Sequence, residues 1–351
     1  MPTRSSPWIA FAVIAALAPQ DGPRIDAFWR WWRTAAPRLA AAIDRGKAQS
    51  IADEVGAQVH AIDPRLAWET GPGSKGARHH FALSSEGDIE LRVLAQRWLS
   101  RAPSPDATWE YYAARQPYGR GGSWSLALPG GVTIEQAGVS VAFETDSDRE
   151  LIHLKLHHAA FAKLDERTRG MAAFLTLDNV LGEDGVERWV GNVDTSVAAL
   201  PQGKSLDALA AAVKALEKSS TGERFAILKG EVDGQPVFAT VNLALKRVDH
   251  LLMDDHLSVT IPLETPTPQG LTTTEEADAL NALEDELRKA LGNDAVCIGR
   301  ETGQKKRIIH FHVSSSGRAE DRARAWRKRH SSRQMEITVR HDPSWEILRH
   351  W

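Results

Sequence analysis

The stretch Thr273-Thr274-Glu275-Glu276-Ala277-Asp278-Ala279-Leu280-Asn281-Ala282-Leu283-Glu284-Asp285-Glu286-Leu287-Arg288-Lys289-Ala290-Leu291-Gly292 decides how the C-terminal half is read. Leu280, Leu283, Leu287 and Leu291 recur at helical spacing and form one apolar stripe. Thr273 stands three residues before Glu276, the spacing of a capping box. Gly292 closes the helix. On the C-terminal side, apolar runs at 294–300 and 306–313 flank Thr302-Gly303 and read as two strands, followed by a helix at 318–331 and a strand at 334–340. On the N-terminal side, Phe225 to Val232 and Pro236 to Leu245 flank Asp233-Gly234, a strong hairpin signal. A further strand spans about 251–263, and Pro262, Pro266 and Pro268 then interrupt regular structure. The order is three strands, helix, two strands, helix, strand. It suits an α+β fold with an antiparallel sheet and helices on one face, a ferredoxin-like elaboration.

The N-terminal half has a similar mix. An amphipathic helix at 24–49 carries Phe28, Trp29, Trp31 and Trp32, a cluster too apolar to leave in water. Strands are expected at 65–70 and 78–84 around Gly71-Pro72-Gly73-Ser74, a helix at about 88–101, and a strand from Trp109. Strand-like runs at 131–136 and 139–145 turn at Ala137-Gly138. In Leu151–His158, Ile152, Leu154 and Leu156 share one face while His153, Lys155 and His157 share the other, where ligand binding is the lesser reading beside a polar sheet face. A helix at 166–181 ends near Gly182, and a strand follows at 188–195. Ala199-Leu200-Pro201-Gln202-Gly203-Lys204 is the best boundary, and an Ala/Leu-rich helix at 206–217 follows it. The expected layout is a leader or signal peptide at 1–21, an N-terminal α+β domain at 22–200 and a C-terminal ferredoxin-like domain at 201–351, each domain an antiparallel sheet with helices packed on one face.

The chain has 351 residues, long enough for two ordinary domains. Hydrophobic content of 42% with 25% charged residues fits a soluble globular protein. A formal net charge of −3 gives no overall pull toward nucleic acid or anionic lipid. Cys297 is the only cysteine, which excludes an intramolecular disulfide and a cysteine-based zinc site. It sits in the apolar run Ala295-Val296-Cys297-Ile298 and reads as a buried, inert thiol. The run from Trp8 to Ala18 follows Arg4 and ends in small residues at Ala16 and Ala18. It is too short to span a bilayer as a helix. The location is read as cytoplasmic, with export through a signal peptide ending near Ala18 as the alternative.

Candidate chemistry is sparse. Gly121-Gly122-Ser123-Trp124-Ser125 lacks the last glycine of a nucleophile elbow. Gly299 to Lys306 has the wrong spacing for a phosphate loop. His310 and His312 lie two apart in an expected strand and share a face. They could ligate a metal, with His256 beside Asp254-Asp255 as the one guess at a third ligand; the plainer reading is a polar sheet face, open to solvent or covered by a helix. The segment Arg318–Arg333 is locally basic. Arg322, Arg324, Trp326, Arg327 and Lys328 could form a partner surface, or grip RNA phosphate and base; the plainer reading is a solvated helix face with Trp326 turned to the core. Glu275, Glu276, Asp278, Glu284, Asp285 and Glu286 read as the solvated outer face of their helix. No cofactor is expected.

Gly270-Leu271, Glu275-Glu276, the leucine ladder, Gly299-Arg300-Glu301-Thr302-Gly303, the strand from Arg307 and Asp342-Pro343-Ser344-Trp345 together resemble the bacterial family known as domain of unknown function 695. The resemblance covers 270–351 and extends back to about 222. The Phe28-Trp29-x-Trp31-Trp32 opening and Phe174 to Trp189 are similar to N-terminal portions of relatives of that family. The resemblance implies a ferredoxin-like fold and places no catalytic residue. The functional reading is a non-catalytic binding or regulatory protein with a protein partner. The rivals are a metal-dependent hydrolase using His310 and His312, and an RNA-binding module through the basic helix.

Overall fold

The computed structural model describes residues 21–118, 123–222 and 224–351. The apolar run Trp8–Ala18 and most of the loop Gly119-Arg120-Gly121-Gly122-Ser123 lie outside the described residues. Among the described residues, no helix is long and apolar enough to cross a membrane. The fold is α+β, with hydrophobic side chains gathered into three separate cores.

The first core begins with helix α1 (Asp21–Asp44), which buries Phe28, Trp29 and Trp32 on one stripe. Helix α2 (Ala52–His60), strands β1 (Ala67–Pro72) and β2 (His79–Ser84), helix α3 (Ile89–Leu99) and strand β3 (Trp109–Tyr112) complete it. Asp88 caps α3 by accepting from the backbone N–H groups of Glu90 and Leu91. Trp29 stacks on Trp98 of α3 at 4.5 Å, so the apolar cluster of α1 is spent on its own core. Strand β1 runs through Gly71 and Pro72, which were expected to turn; the turn falls later, at 73–78. Strands β2 and β3 are parallel, contrary to the antiparallel expectation, because α3 carries the chain back between them.

The second core is built from β4 (Ser125–Leu128), β5 (Val132–Glu135), β6 (Ser140–Asp146), β7 (Leu151–His157), α4 (Glu166–Trp189), β8 (Val190–Ser196) and α5 (Leu206–Ser219). Ile152, Leu154 and Leu156 of β7 are buried as their alternation requires. Strand β5 pairs with β4 and not with β6. Strand β8 is parallel to β7, with α4 as the crossover. Helix α4 passes Gly182 at φ 73°, ψ 159° and resumes to Trp189. Helix α5, expected to open the C-terminal domain, lays Leu206, Leu209 and Val213 into this second core.

The third core carries a six-stranded antiparallel sheet. Its strands are β9 (Phe225–Val232), β10 (Gln235–Asn242), β11 (Asp255–Pro262), β12 (Ala295–Gly303), β13 (Lys306–Val313) and β14 (Glu336–His341), in the order β14-β11-β13-β12-β10-β9. Helix α6 (Thr274–Leu291) links β11 to β12, and α7 (Ala319–Arg329) links β13 to β14. Each crossover spans one intervening strand. Leu280, Leu287, Ala323 and Trp326 from the helices meet Leu257, Val259, Ile309 and Phe311 from one face of the sheet. A last turn of helix, α8 (Glu346–His350), follows β14.

Buried charge joins the cores. Arg92 of α3 is buried, donates to the Ala113 carbonyl and pairs with Asp184 and Glu187 of α4. Arg97 of α3 pairs with Asp254, which is 1% exposed, and donates to Ser315 at 3.1 Å.

Candidate functional site

The pleat of β13 sends Ile309 and Phe311 to the helices and His310 and His312 to the opposite face. On β11, His256 stands directly opposite His312; on β14, Arg340 stands opposite His256. All three histidines are buried. The cover is the C-terminal segment: Trp345 stacks on His312, and Trp351 meets His310 edge-on at 5.3 Å.

The protons on His256 and His310 follow from one arginine. Arg340 Nε can only donate, and it reaches His256 Nδ1 at 3.3 Å. The neutral His256 ring therefore carries its hydrogen on Nε2 and donates to His310 Nδ1 at 3.1 Å. His310 in turn carries its hydrogen on Nε2, which has no hydrogen-bond partner. His312 donates from Nδ1 to the Met253 carbonyl at 3.2 Å, leaving Nε2 bare at 3.6 Å from Asp342 Oδ2. Burial lowers the pKa of His256 to about 4, helped by the nearby Arg340 cation. Burial likewise lowers His310 and His312 to about 3. All three rings are neutral at pH 7.

This arrangement bears directly on the metal reading. Metal ligation needs a lone pair on each ring. His310 spends one nitrogen on the hydrogen of His256 and protonates the other, so of the expected pair only His312 Nε2 offers a lone pair. His256 does reach His310, as a hydrogen-bond donor. Among the described residues, the one group of three donors close enough to share an ion is Asp254, Asp255 and His341, at the end of the same sheet. There Asp254 is engaged by Arg97 and Ser315, and Asp255 by His341 at 2.9 Å.

The basic helix offers less free surface than a partner or RNA contact through all five of its residues would need. Trp326 is fully buried in the third core, so it is unavailable to stack on a base or a partner. Arg322 donates to the Leu291 carbonyl and pairs with Asp294, while Arg324 pairs with Glu320. Arg327 and Lys328 are exposed. On the facing helix, Glu276 and Glu284 are buried, not solvated. Glu284 binds Arg288 and Arg300; Glu276 binds Arg333 and the backbone N–H groups of Glu264 and Thr265. Cys297 is held as a neutral thiol, pushed up to about 12 by burial. On β7, His153 accepts from the Asn192 backbone N–H and the His157 ring meets the Ser196 carbonyl.

Two features escaped the sequence. The first is a charge cluster around Arg115, which pairs with Glu86 and Glu69. The break at Gly182 lets Glu183 N–H donate to the Arg115 carbonyl while the Glu183 carboxylate accepts from the Arg115 N–H. Burial and the nearby Glu183 push Asp178 up to about 7. These residues come from four distant segments, so no local pattern announced them. The second is the edge of the six-stranded sheet. Among the described residues, strand β9 pairs only with β10, and Phe225, Ile227 and Val232 are 56%, 74% and 47% exposed. The hairpin was visible in Asp233-Gly234; its place at the edge was not.

No curated protein matches the chain. The six-stranded sheet, its two helices, the buried histidines and the tryptophan cover all fall between residues 224 and 351, and this C-terminal part of the chain matches the family of unknown function DUF695.

Proposed function

We propose that the protein is a non-catalytic binding or regulatory protein that acts through protein–protein contacts, with the open edge of β9 as its contact surface. The observation that carries this reading is the exposure of Phe225, Ile227 and Val232 on an eight-residue strand paired on one side only. Sheet edges of this kind are normally shortened, charged, interrupted by proline or covered, because an extended partner strand can add to them. Strand β9 holds no proline and two charged residues, Lys229 and Glu231. The order of β11 to β14 with α6 and α7 supports a ferredoxin-like reading of this unit. The buried, mutually engaged histidines favour a structural role for that face.

The test is affinity capture of the full chain from its host, with ribonuclease added, comparing wild type with Ile227→Pro and with the double reversal Arg327→Glu/Lys328→Glu. The reading expects a protein partner that survives ribonuclease, is lost with Ile227→Pro and is kept by the double reversal. Loss only with the double reversal moves the contact to α7.

A further inference from the structure

We propose that β9 pairs with β9 of a second copy of this chain, antiparallel about a two-fold axis through Leu228, joining the two six-stranded sheets into one. This rests on the reading of the β9 edge as the contact surface and names its occupant.

The phase of the strand sets the argument. Leu243 N–H donates to the Arg224 carbonyl at 2.9 Å, next to the β9–β10 ladder. In an antiparallel pair the bonded positions alternate. Ala226, Leu228, Gly230 and Val232 therefore bond to β10, and the N–H and C=O groups of Phe225, Ile227, Lys229 and Glu231 point to the open edge. These four positions are symmetric about Leu228. A two-fold axis there pairs Phe225 with the partner's Glu231 and Ile227 with the partner's Lys229, and it engages every open backbone group of both strands.

Neighbouring registers fit less well. An axis through Lys229 sets that lysine against the partner's Lys229, a like-charge pair. An axis through Ile227 leaves Glu231 unpaired. In the Leu228 register no like charges face each other, and the Lys229 stem covers Ile227, the most exposed of the three large apolar residues on the strand. The other face brings Leu228 onto the partner's Leu228 and Ala226 onto the partner's Gly230, with no charge among them. A closed two-fold pairing also removes the edge from both copies, which a one-sided partner does not.

The experiment uses the purified full chain. Light scattering at micromolar concentration should give twice the chain mass for wild type and the single-chain mass for Ile227→Pro. The Ile227 N–H faces away from β10, so the proline leaves the β9–β10 ladder intact, and an unchanged melting curve verifies this. Leu228→Cys should form an intermolecular disulfide on mild oxidation, because the two positions meet as a non-bonded pair with Cα atoms about 4.5 Å apart. Ala226→Cys, which faces the partner's Gly230, should not. A wild-type monomer, or a dimer that persists in Ile227→Pro and fails to cross-link through residue 228, overturns the proposal. A monomer that still captures a host protein through Ile227 overturns self-pairing alone; a monomer whose capture ignores Ile227 overturns the edge reading as well.

Discussion

Trp345 lies flat on His312, ring centroids 4.3 Å apart and planes 12° apart, and both rings donate to the same carbonyl, that of Met253. Trp345 holds this position at φ 54°, a conformation that a bulky side chain rarely adopts. The packing of one ring on another outweighs that strain. Trp345→Ala should destabilise the protein by about 3–5 kcal/mol, the range for truncating a buried tryptophan. Urea denaturation measures this, and a loss below about 1 kcal/mol would mean the cover contributes little.

Acid should loosen the same face. His256, His310 and His312 have folded pKa values lowered to about 4, 3 and 3, against about 6.5 in an unfolded chain. Below about pH 6.5 the unfolded chain binds protons that the folded protein refuses, so stability falls as pH drops toward 4. The slope should approach roughly 1 kcal/mol per pH unit for each histidine. The charged neighbours facing the cluster are Arg340 and Asp342, and Asp342 softens the effect at His312. Denaturation midpoints at pH 7, 6 and 5 for wild type and His310→Gln check it. Equal slopes for the two proteins would rule out His310 as a contributor.

Asp178 works in the opposite sense. Its folded pKa is raised to about 7, so its stabilising contribution is present at low pH and is lost as pH rises from its unfolded value near 4 through 7. Asp178→Asn should therefore raise stability at pH 8 by on the order of 1 kcal/mol, after allowing for the water that still reaches the group, and leave stability at pH 4 unchanged. A destabilised variant at pH 8 would show that the charged carboxylate is held by Arg115 instead.

Arg97 carries a buried partner across the joint between two cores. Removing it strands the Asp254 carboxylate, which is 1% exposed, with Ser315 as its remaining partner outside the backbone. Arg97→Met should cost about 3–5 kcal/mol. Restoring much of that loss with Asp254→Asn in the same chain would identify the stranded charge as the cause; strict additivity of the two changes would refute a direct coupling.

The thiol of Cys297 should resist alkylation at pH 8 in the folded protein and react once the chain is unfolded, because burial pushes it up to about 12. Rapid labelling under native conditions would show that β12 opens readily.

What the residues disclosed in advance was local. Thr273 does cap α6, accepting from the Glu276 N–H at 3.2 Å. The reciprocal half of that box is missing, because the Glu276 carboxylate turns to Glu264, Thr265 and Arg333, which a spacing rule cannot weigh. Asp233 and Gly234 both take positive φ, as their hairpin turn demands. The plainer reading of Trp326, turned to the core, is the one the fold adopts: Ala319, Ala323 and Trp326 sit at helical spacing on the face that is buried. Pairing partners were not within reach. Alternation marks β5 as a strand but cannot say that β4 is its neighbour. Nor could any window announce that Trp345 closes over His312, since the two are joined by folding and not by sequence distance. Gly182 looked like a helix stop, and its φ does break the helix. Far upstream, the Arg115 carbonyl accepts from the Glu183 N–H and the Tyr118 N–H donates to the Asn179 carbonyl, so backbone groups freed at the break find partners and the chain resumes.

The covered histidine face also sets an order in time. Strand β11 finds its outer neighbour, β14, and its tryptophan cover only in the last residues described, 336–351. During synthesis the first two cores hold all their parts well before that segment exists, so they can close while the chain is still growing. The third cannot. Until residue 345 has emerged from the ribosome, His256, His310 and His312 remain open to water and free to take up protons, and the sheet stays short of a strand. Any factor that guards this protein during its birth would have its longest opportunity there.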